Sequence, residues 1–315
     1  MTTEKTQDLV GKTALVTGST SGIGLAIAQE MLARGANVMF TGKFMHKDPA
    51  EVEKQRAEFT ATLDAIKASY PNRAIGFQES EAGDYNSNVA LVKATAALGG
   101  GKIDILVNNA GVQVPVPVDQ VEPERWKNLI DVNLNGAFYA THAAVPFMKA
   151  AGGGNIINVT SVHAHVVSPG RAAYCASKFG LRALTETAAI DLAPHNIAVN
   201  TVSPAFVKTP LAQIQIDQMV AQGKTLEEAE AWRLQLQDGK WIPIEELASK
   251  TADIAARKSG LKTGADLLLD NGYVEKARGQ TKALSSTGIA FFDKATRAAM
   301  ETFNRVIGTG DLPPH

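Results

Sequence analysis

Two side chains near the middle of the chain have types and spacing that suit proton transfer. Tyr174 and Lys178 stand four residues apart, so a helix that begins near Ala172 would place both on one face. A free phenol has a pKa near ~10, and a neighbouring cation stabilises the phenolate and brings the phenol into the working range of an acid or base. We therefore expect Lys178 to lower the pKa of Tyr174.

Ser161 is the third candidate for this chemistry. It follows the apolar run Ile156-Ile157-Asn158-Val159, which predicts a buried strand. Its hydroxyl would then lie at the carboxyl end of a sheet, where open α/β folds bind ligands. A tyrosine and a lysine four residues apart are also common as ordinary neighbours on a helix surface, so this interpretation depends on the other motifs.

A glycine turn near the start of the chain predicts a second binding element. Residues 12–17 are typical of a buried parallel strand and lead directly into Gly18-Ser-Thr-Ser-Gly-Ile-Gly24. Apolar residues then recur at helical spacing as far as Gly35. In this order, backbone N–H groups can approach a pyrophosphate at the positive end of the helix. The arrangement favours dinucleotide binding over an ordinary glycine turn.

The residues after the second predicted strand, 37–41, bear on which dinucleotide is bound. An Asp or Glu there would favour NAD by binding the ribose hydroxyls, but the chain has Gly42-Lys43. Lys43 could pair with the 2′-phosphate of NADP, or it could be a solvated lysine on a turn. The sequence leaves the two alternatives open. Asp84, in a later loop, is a candidate contact for the adenine amine.

The remaining pattern alternates strands with helices. Further strands are predicted near 74–77 and 103–107, and helices over 46–70, 89–98 and about 124–149. This alternation predicts an α/β fold with a Rossmann-type doubly wound parallel sheet, as a single domain over residues 10–278. Two amphipathic helices within about 205–242 predict a helical lid over bound substrate, with a fixed subdomain as the rival interpretation.

Composition excludes several classes of function. A net charge of -1 gives no electrostatic case for nucleic acid or an anionic membrane. The single cysteine, Cys175, excludes an intrachain disulfide and suits a reducing compartment. No signal peptide and no apolar run of roughly 20 residues is present, so we expect a cytoplasmic protein. His163 and His165 have no Cys, Asp or Glu at ligand spacing, so no metal site is predicted.

The motifs together resemble those of a known family. Thr17-Gly18 through Gly24 matches the signature Thr-Gly-x-x-x-Gly-x-Gly, and Asn108 to Gly111 matches Asn-Asn-Ala-Gly. With Asn133, Ser161, Tyr174 and Lys178 in order, residues 10–275 resemble a classical short-chain dehydrogenase/reductase. The resemblance implies an NAD(P)-dependent oxidoreductase that interconverts a secondary alcohol and a ketone, assembled as a tetramer or dimer. A non-catalytic dinucleotide sensor is less favoured because all four catalytic positions are filled.

The resemblance also implies roles for individual residues. Tyr174 would transfer the hydroxyl proton, Ser161 would bind the carbonyl oxygen, and Lys178 would bind the nicotinamide ribose. Asn133 would hold a water of a proton relay. The implied cofactor residues are Gly18, Ser21, Gly22, Ile23, Gly24, Lys43, Asp84, Asn109, Ala110, Gly111, Tyr174, Lys178, Pro204, Val207 and Thr209. Ala205 follows Pro204 where the family often has glycine.

The substrate prediction comes from a closer resemblance, to bacterial 3-hydroxybutyrate dehydrogenases. That group binds a small carboxylate through Gln, His, Lys and Gln side chains, and Arg171 stands here in place of the lysine. Phe206 and Tyr273 stand where the group has tryptophans. The implied substrate residues are Gln113, Ser161, His163, Arg171, Tyr174, Phe206 and Gln215. A short 3-hydroxy acid is predicted; a 3-oxoacyl thioester, a sugar acid or a bulkier ketone remains the alternative.

The last part of the chain extends beyond the usual end of the family. Within residues 279–315, apolar residues between Ile289 and Ile307 could form one helix stripe that ends at Gly308. We predict a C-terminal helical extension that packs on its own or a neighbouring subunit.

Overall fold

A parallel sheet forms the centre of the computed structural model, which describes residues 6–46, 48–113, 115–221 and 223–279. Within these ranges the strands are β1 Thr13–Val16, β2 Asn37–Gly42, β3 Ile75–Glu79, β4 Ile105–Asn108, β5 Gly154–Val159, β6 Ile197–Pro204 and β7 Asp266–Leu269. They pair in the order β3-β2-β1-β4-β5-β6-β7, and every pairing is parallel. The predicted parallel sheet is confirmed.

Helices cover both faces of this sheet. They are α1 Gly22–Ala33, α2 Pro49–Ser69, α3 Tyr85–Leu98, α4 Pro123–Ile130, α5 Gly136–Ala150, α6 Ala172–Leu192, α7 Pro210–Ala221, α8 Leu226–Leu234 and α9 Ile244–Ala255. One apolar core lies between the sheet and α1, α2 and α9, and the other between the sheet and α3, α5 and α6. The fold is therefore doubly wound, as the alternation of strands and helices predicted.

Strand β1 shows why the sheet needs two cores. Ala14 and Val16 pack into the first core, whereas Leu15, between them, packs into the second. Successive side chains of a strand point to opposite faces, so a strand buried on both faces is apolar throughout.

The strand order places the ligand crevice. From β1 the chain proceeds to β2 and β3 on one side, and from β4 to β5, β6 and β7 on the other. The loops that follow β1 and β4 therefore diverge at the carboxyl edge of the sheet. Ligands of open α/β sheets bind in the crevice at this switch point.

The helix predicted over 124–149 is present and contains a π-helical turn. Between α4 and α5 the backbone makes a π-helical turn at Asp131–Asn135, which contains Asn133. The Asn133 carboxamide accepts from the Val112 N–H at 2.7 Å and donates to the Val112 carbonyl at 2.9 Å. The wider turn thus joins the helix to the loop after β4. π-turns inside helices are frequent at functional sites, and apolar periodicity carries no signal for them.

The two helices of the predicted lid are present as α7 and α8. Ile216, Met219 and Ala229 form a small apolar cluster between them, against which Trp241 packs. Val207 bridges to Ile242 and so connects the start and the end of this segment. Whether the segment moves over a substrate stays a prediction.

At the carboxyl end, residues 273–279 are helical, and the predicted extension beyond them lies outside the described residues. No helix in the described ranges is both long and apolar enough to cross a membrane.

Candidate active site

The glycine turn after β1 is closely packed against the loop that follows β4. Gly18 has a φ of 62°, in the left-handed region, and a Cβ there would lie 2.8 Å from the Ala110 Cα. A Cβ at Gly24 would overlap the Gly18 carbonyl oxygen. Only glycine fits these two positions. A Cβ at Gly22, where φ is 54°, would contact the Thr209 side chain at 3.9 Å.

Asn109 holds the glycine turn from the neighbouring loop. Its Nδ2 donates to the carbonyl oxygens of Thr17 at 2.9 Å and Gly18 at 3.0 Å. The Thr17 hydroxyl in turn accepts from the N–H groups of Asn109 and Ala110, both at 3.0 Å. The Asn109 carboxamide therefore fixes the shape of the turn.

The amino end of α1 follows this turn. Ser21 is the N-cap residue, its backbone is extended, and its side chain makes no capping hydrogen bond. The N–H groups of the first turn of a helix have no partners within the helix, and phosphate groups bind them well. The glycine turn and this uncapped helix end fit the pyrophosphate of a dinucleotide.

At the adenosine end of the crevice, two of the predicted cofactor residues have partners within the protein. Lys43 forms an ion pair with Glu81, which lies in the loop after β3. Asp84, predicted to contact adenine, is the N-cap of α3 and accepts from the Ser87 N–H at 2.7 Å. Glu81 is thus an acidic residue beside Lys43, and contacts of Lys43 and Asp84 with a cofactor stay predictions. Sequence reasoning missed Glu81 because nothing in its local pattern shows that β2 and β3 end side by side.

Helix α6 brings Tyr174 and Lys178 together, as the spacing predicted. The Lys178 Nζ lies 5.7 Å from the centroid of the Tyr174 ring. It donates to the Val159 carbonyl at 2.9 Å, which ties α6 to the end of β5. Burial lowers the pKa of Lys178 to about 8.

The pKa of Tyr174 corrects the expectation from sequence. Burial raises it above its ordinary value, and the Ser161 hydroxyl and the Arg171 guanidinium oppose this without overcoming it. The phenolate is the charged form, so loss of water disfavours it. The Lys178 amine lies over the ring and donates to Val159, and the Arg171 guanidinium is a second cation that favours the phenolate.

Asn133 lies beside this pair. In addition to its two hydrogen bonds with the Val112 backbone, its Nδ2 donates to the Ser177 hydroxyl at 3.2 Å. A Cβ at Gly111 would lie 3.4 Å from the Asn133 Oδ1 and 3.7 Å from the Lys178 Nζ. Asn133, Gly111 and Lys178 therefore share one neighbourhood, as expected for the predicted catalytic set.

Ser161 and His163 form the opposite wall. The Ser161 Oγ accepts from the His163 N–H at 3.2 Å and lies 3.4 Å from its Nδ1. The His163 ring packs edge-on to Tyr174 with centroids 5.9 Å apart, and its Nε2 lies 3.0 Å from the Ser168 hydroxyl. Burial, assisted by the charge of Arg171, lowers the pKa of His163 to about 3. His163 is therefore neutral in the working pH range.

Two of the remaining predicted substrate residues, Arg171 and Phe206, lie with Tyr273 near Tyr174 and His163. Arg171 interacts electrostatically with Tyr174 and Tyr273. The buried Gln113 Nε2 has no hydrogen-bond partner among the described residues. Tyr273 stacks edge-on to Phe206 with centroids 5.8 Å apart and lies 6.2 Å from the His163 ring. Gln215 lies on α7, and its contact with a substrate stays a prediction.

The cofactor residues predicted near β6 lie at its carboxyl end. Pro204 is the last residue of β6, and Val207 pairs with Ile242. The Thr209 hydroxyl accepts from the Ala212 N–H at 3.2 Å at the start of α7, facing Gly22. This end of the sheet therefore brings the base of the lid segment to the glycine turn.

Gln237 is a residue that sequence reasoning missed. Its side chain is fully buried, accepts from the Phe206 N–H at 2.6 Å and donates to the Phe206 carbonyl at 2.8 Å. It also donates to the Lys240 carbonyl at 2.6 Å. A glutamine after a polar helix is normally solvated, so the sequence has no signal for this role. Gln237 fixes the backbone that carries Phe206.

Comparison with known proteins agrees with this geometry. The family model for short chain dehydrogenases matches residues 12–219. A D-beta-hydroxybutyrate dehydrogenase of Rhizobium meliloti (strain 1021) is 37% identical over 265 residues, covering 83% of this chain and 98% of the relative. A trans-4-hydroxycyclohexanecarboxylate dehydrogenase of Sinomonas cyclohexanicum is 36% identical over 261 residues, covering 83% and 92% of the two chains.

A solved structure is also similar. The crystal structure of a putative short-chain alcohol dehydrogenase from Sinorhizobium meliloti 1021 superposes with a TM-score of 0.70 at 28% identity, covering 86% of this chain and 99% of that one. The chain belongs to the short chain dehydrogenase family. It is an NAD(P)-dependent oxidoreductase that interconverts a secondary alcohol and a ketone, as the resemblance implied.

Proposed function

We propose that this enzyme interconverts 3-hydroxybutyrate, or another short 3-hydroxy acid, and the corresponding 3-oxo acid. The observation that carries the proposal is the Arg171 cation near Tyr174, and an unpartnered amide at Gln113 supports it. The Arg171 cation acts on the phenol, and the buried Gln113 Nε2 has no partner among the described residues. Arginine binds carboxylates through two parallel hydrogen bonds, and a buried amide without a partner is costly unless a ligand satisfies it.

The protein groups divide the proton chemistry between them. The nicotinamide, when bound, supplies or accepts the hydride. In the direction of reduction, Tyr174 gives its proton to the substrate oxygen while Ser161 donates a hydrogen bond to the same oxygen. The high pKa of Tyr174 in the buried site keeps the phenol protonated and ready to act as the acid. Oxidation reverses these transfers.

Lys178 and His163 support this chemistry from two sides. Lys178 has a pKa near neutral pH and lies beside Asn133 and Gly111, which suits a group that binds the nicotinamide ribose and passes a proton. Neutral His163 adds no charge near the phenol, so Arg171 remains the cation that a carboxylate would meet there. The proton donor, Tyr174, and the proposed carboxylate partner, Arg171, are therefore different residues.

The first test is the initial rate by nicotinamide absorbance with each enantiomer of 3-hydroxybutyrate and with NAD or NADP. We expect turnover of one enantiomer. Arg171→Ala should raise the KM of the acid roughly 100-fold, because a charged hydrogen-bonding partner is lost. Arg171→Lys is the matched control and should recover part of the loss. No turnover of either enantiomer, with dinucleotide binding intact, would discard the substrate.

A cyclic hydroxy acid is the second candidate. The Sinomonas relative is named for trans-4-hydroxycyclohexanecarboxylate, which carries the same carboxylate as a short hydroxy acid. Phe206 and Tyr273 provide stacked aromatic rings next to His163 and suit a ring substrate. The same assay with this acid decides between them, because the better substrate has the higher kcat/KM.

We also propose that the chain forms a homo-oligomer, a dimer or tetramer. Large apolar side chains are partly exposed on α4, α5 and α6, namely Trp126, Phe138 and Phe179. Exposed apolar patches mark protein interfaces. Light scattering coupled to size exclusion should give a mass of two or four chains, and Phe179→Glu should lower it.

A further inference from the structure

A buried imidazole and carboxylate lie behind the active site without touching its reacting groups. The His165 Nε2 is 2.7 Å from the Asp266 Oδ2, and the two side chains are only 10% and 16% exposed. On its other side, the His165 Nδ1 lies 3.1 Å from the Arg182 Nη1. Neither the proton transfers nor the proposed substrate anchor uses this group.

The partners assign the proton on His165. Arginine can only donate, so the Nδ1 that faces Arg182 must accept. The proton is then on Nε2 and is donated to Asp266. A neutral imidazole therefore bridges a guanidinium of α6 and a carboxylate of β7. A second proton on Nδ1 would face the Arg182 N–H group and break this bridge.

Asp266 is held in place by more than the imidazole. It accepts from the Ser203 hydroxyl at 2.6 Å and from the Thr201 hydroxyl, both on β6. Burial raises the pKa of Asp266, but the hydrogen bonds from His165, Ser203 and Thr201 outweigh it and hold the pKa below its ordinary value. The carboxylate is thus ionised and immobilised between two strands.

Three residues of this network are near neighbours, along the chain, of active-site residues. Thr160, whose hydroxyl lies 2.5 Å from that of Ser203, precedes Ser161. His165 follows His163 by two residues, and Arg182 lies one helical turn after Lys178. The network therefore connects the ends of β5, β6 and β7 to the helix that carries the acid.

We propose that His165 and Asp266 are positioning residues that set α6 against the end of β5, and so fix Tyr174 and Lys178 relative to Ser161. Lys178 donates to the Val159 carbonyl, Arg182 donates to His165, and the Asn158 carboxamide of β5 donates to the Thr185 hydroxyl of α6 at 2.7 Å. If Arg182 has no acceptor at position 165, α6 loses the one of these restraints that lies between Lys178 and Thr185. A displacement of about 1 Å at reacting groups can lower a rate by about 100-fold.

The variants His165→Leu and His165→Gln separate packing from hydrogen bonding. Glutamine can accept from Arg182 through Oε1 and donate to Asp266 through Nε2, whereas leucine can do neither. We expect His165→Leu to lower kcat 10- to 100-fold with dinucleotide Kd within about threefold of wild type. His165→Gln should stay within about threefold of wild type. His195→Leu, at an exposed histidine, is the matched control.

Two measurements need no substrate and so remain decisive if the proposed substrate, on which the kinetic assay depends, is wrong. The ¹⁵N spectrum of the full-length protein at neutral pH, with His165 assigned from His165→Gln, should show a protonated Nε2 and a bare Nδ1. Amide hydrogen exchange of residues 172–182 should be faster in His165→Leu and unchanged in His165→Gln.

The proposal would be overturned by any of three results. A charged imidazole, or a proton on Nδ1, would contradict the bridge. Equal losses in the leucine and glutamine variants would show that shape rather than hydrogen bonding matters. Wild-type exchange and wild-type kcat in His165→Leu would show that the network does not position α6.

Discussion

The two ends of the dinucleotide crevice are built in opposite ways. At the catalytic end, Lys178, His163 and Asn133 are buried and hydrogen-bonded, and burial shifts the pKa values of the first two. At the adenosine end, Lys43 and Glu81 pair across the surface, and each side chain is 39% exposed. Buried groups interact strongly and resist change, whereas water and salt weaken exposed ion pairs.

We therefore expect the catalytic residues and the residues that select the dinucleotide to respond differently to substitution. The reacting groups are fixed by the packing of α6 on β5, which a single surface substitution does not alter. The Lys43–Glu81 pair can be altered by one charge, because an exposed ion pair contributes at most about 1 kcal/mol. We expect large effects from substitutions at the catalytic end and small ones at the adenosine end.

Tyr174→Phe should give the largest effect. Removal of the acid should lower kcat about 1,000-fold, within the range of general acid–base catalysis. Dinucleotide affinity and the thermal unfolding temperature should stay near those of wild type, since the ring and its contacts with His163 remain. A variant that keeps more than a tenth of the wild-type kcat would place the acid elsewhere.

His163→Gln tests whether the His163 imidazole is buried, through the pH dependence of stability. The pKa of His163 is about 3 in the folded protein and 6.5 when exposed, so the unfolded chain binds the proton first as pH falls. Its contribution to the free energy of unfolding is complete above pH 6.5 and is lost below it. At about 1.4 kcal/mol per pH unit, wild type should lose roughly 3 kcal/mol between pH 6.5 and 4 that the variant keeps.

Urea unfolding at several pH values would measure this difference. His195→Gln is the control at an exposed histidine and should follow the wild-type curve. Parallel curves for wild type and His163→Gln would mean that His163 is hydrated.

Lys178→Met should be inactive and yet more stable. The pKa of Lys178 falls from 10.5 to about 8 on folding, so below pH 8 the folded protein holds a charge at a cost of about 3 kcal/mol. Loss of the hydrogen bond to Val159 removes about 1 kcal/mol of the gain in the free energy of unfolding. Near pH 7 the variant should therefore gain about 2 kcal/mol, and the gain should shrink as pH rises from 8 to 10.5. Equal stability at pH 7 would contradict the burial of the amine.

Glu81→Gln should give the smallest effect. Without the carboxylate, Lys43 is available to a 2′-phosphate, so the Kd of 2′,5′-ADP should fall about fivefold while that of 5′-ADP changes less than twofold. Calorimetry at low salt would measure both. Glu51→Gln, which removes the exposed partner of Lys54, is the matched control. If the two ligands respond equally, the Lys43–Glu81 pair does not discriminate between the dinucleotides.

Much of the site could be predicted because its signals are local. A spacing of four residues places Tyr174 and Lys178 on one face of a helix, whatever the rest of the fold. The turn between the first strand and helix needs a positive φ, which favours glycine. The resemblance to the family added the order of the motifs. Glu81, Gln237 and the His165 bridge could not be predicted, since their partners are remote in sequence and their local patterns are those of solvated residues.

The sequence by itself therefore determined the doubly wound sheet and the glycine turn and predicted the catalytic residues, because periodicity, turn chemistry and motif order are properties of neighbouring residues. The tertiary structure decided which charge each of these residues experiences. It directed Lys178 to the Val159 carbonyl, placed Arg171 near Tyr174 as a second cation, and paired Lys43 with Glu81. Charge interactions and desolvation depend on distance and burial in space, and only packing fixes these.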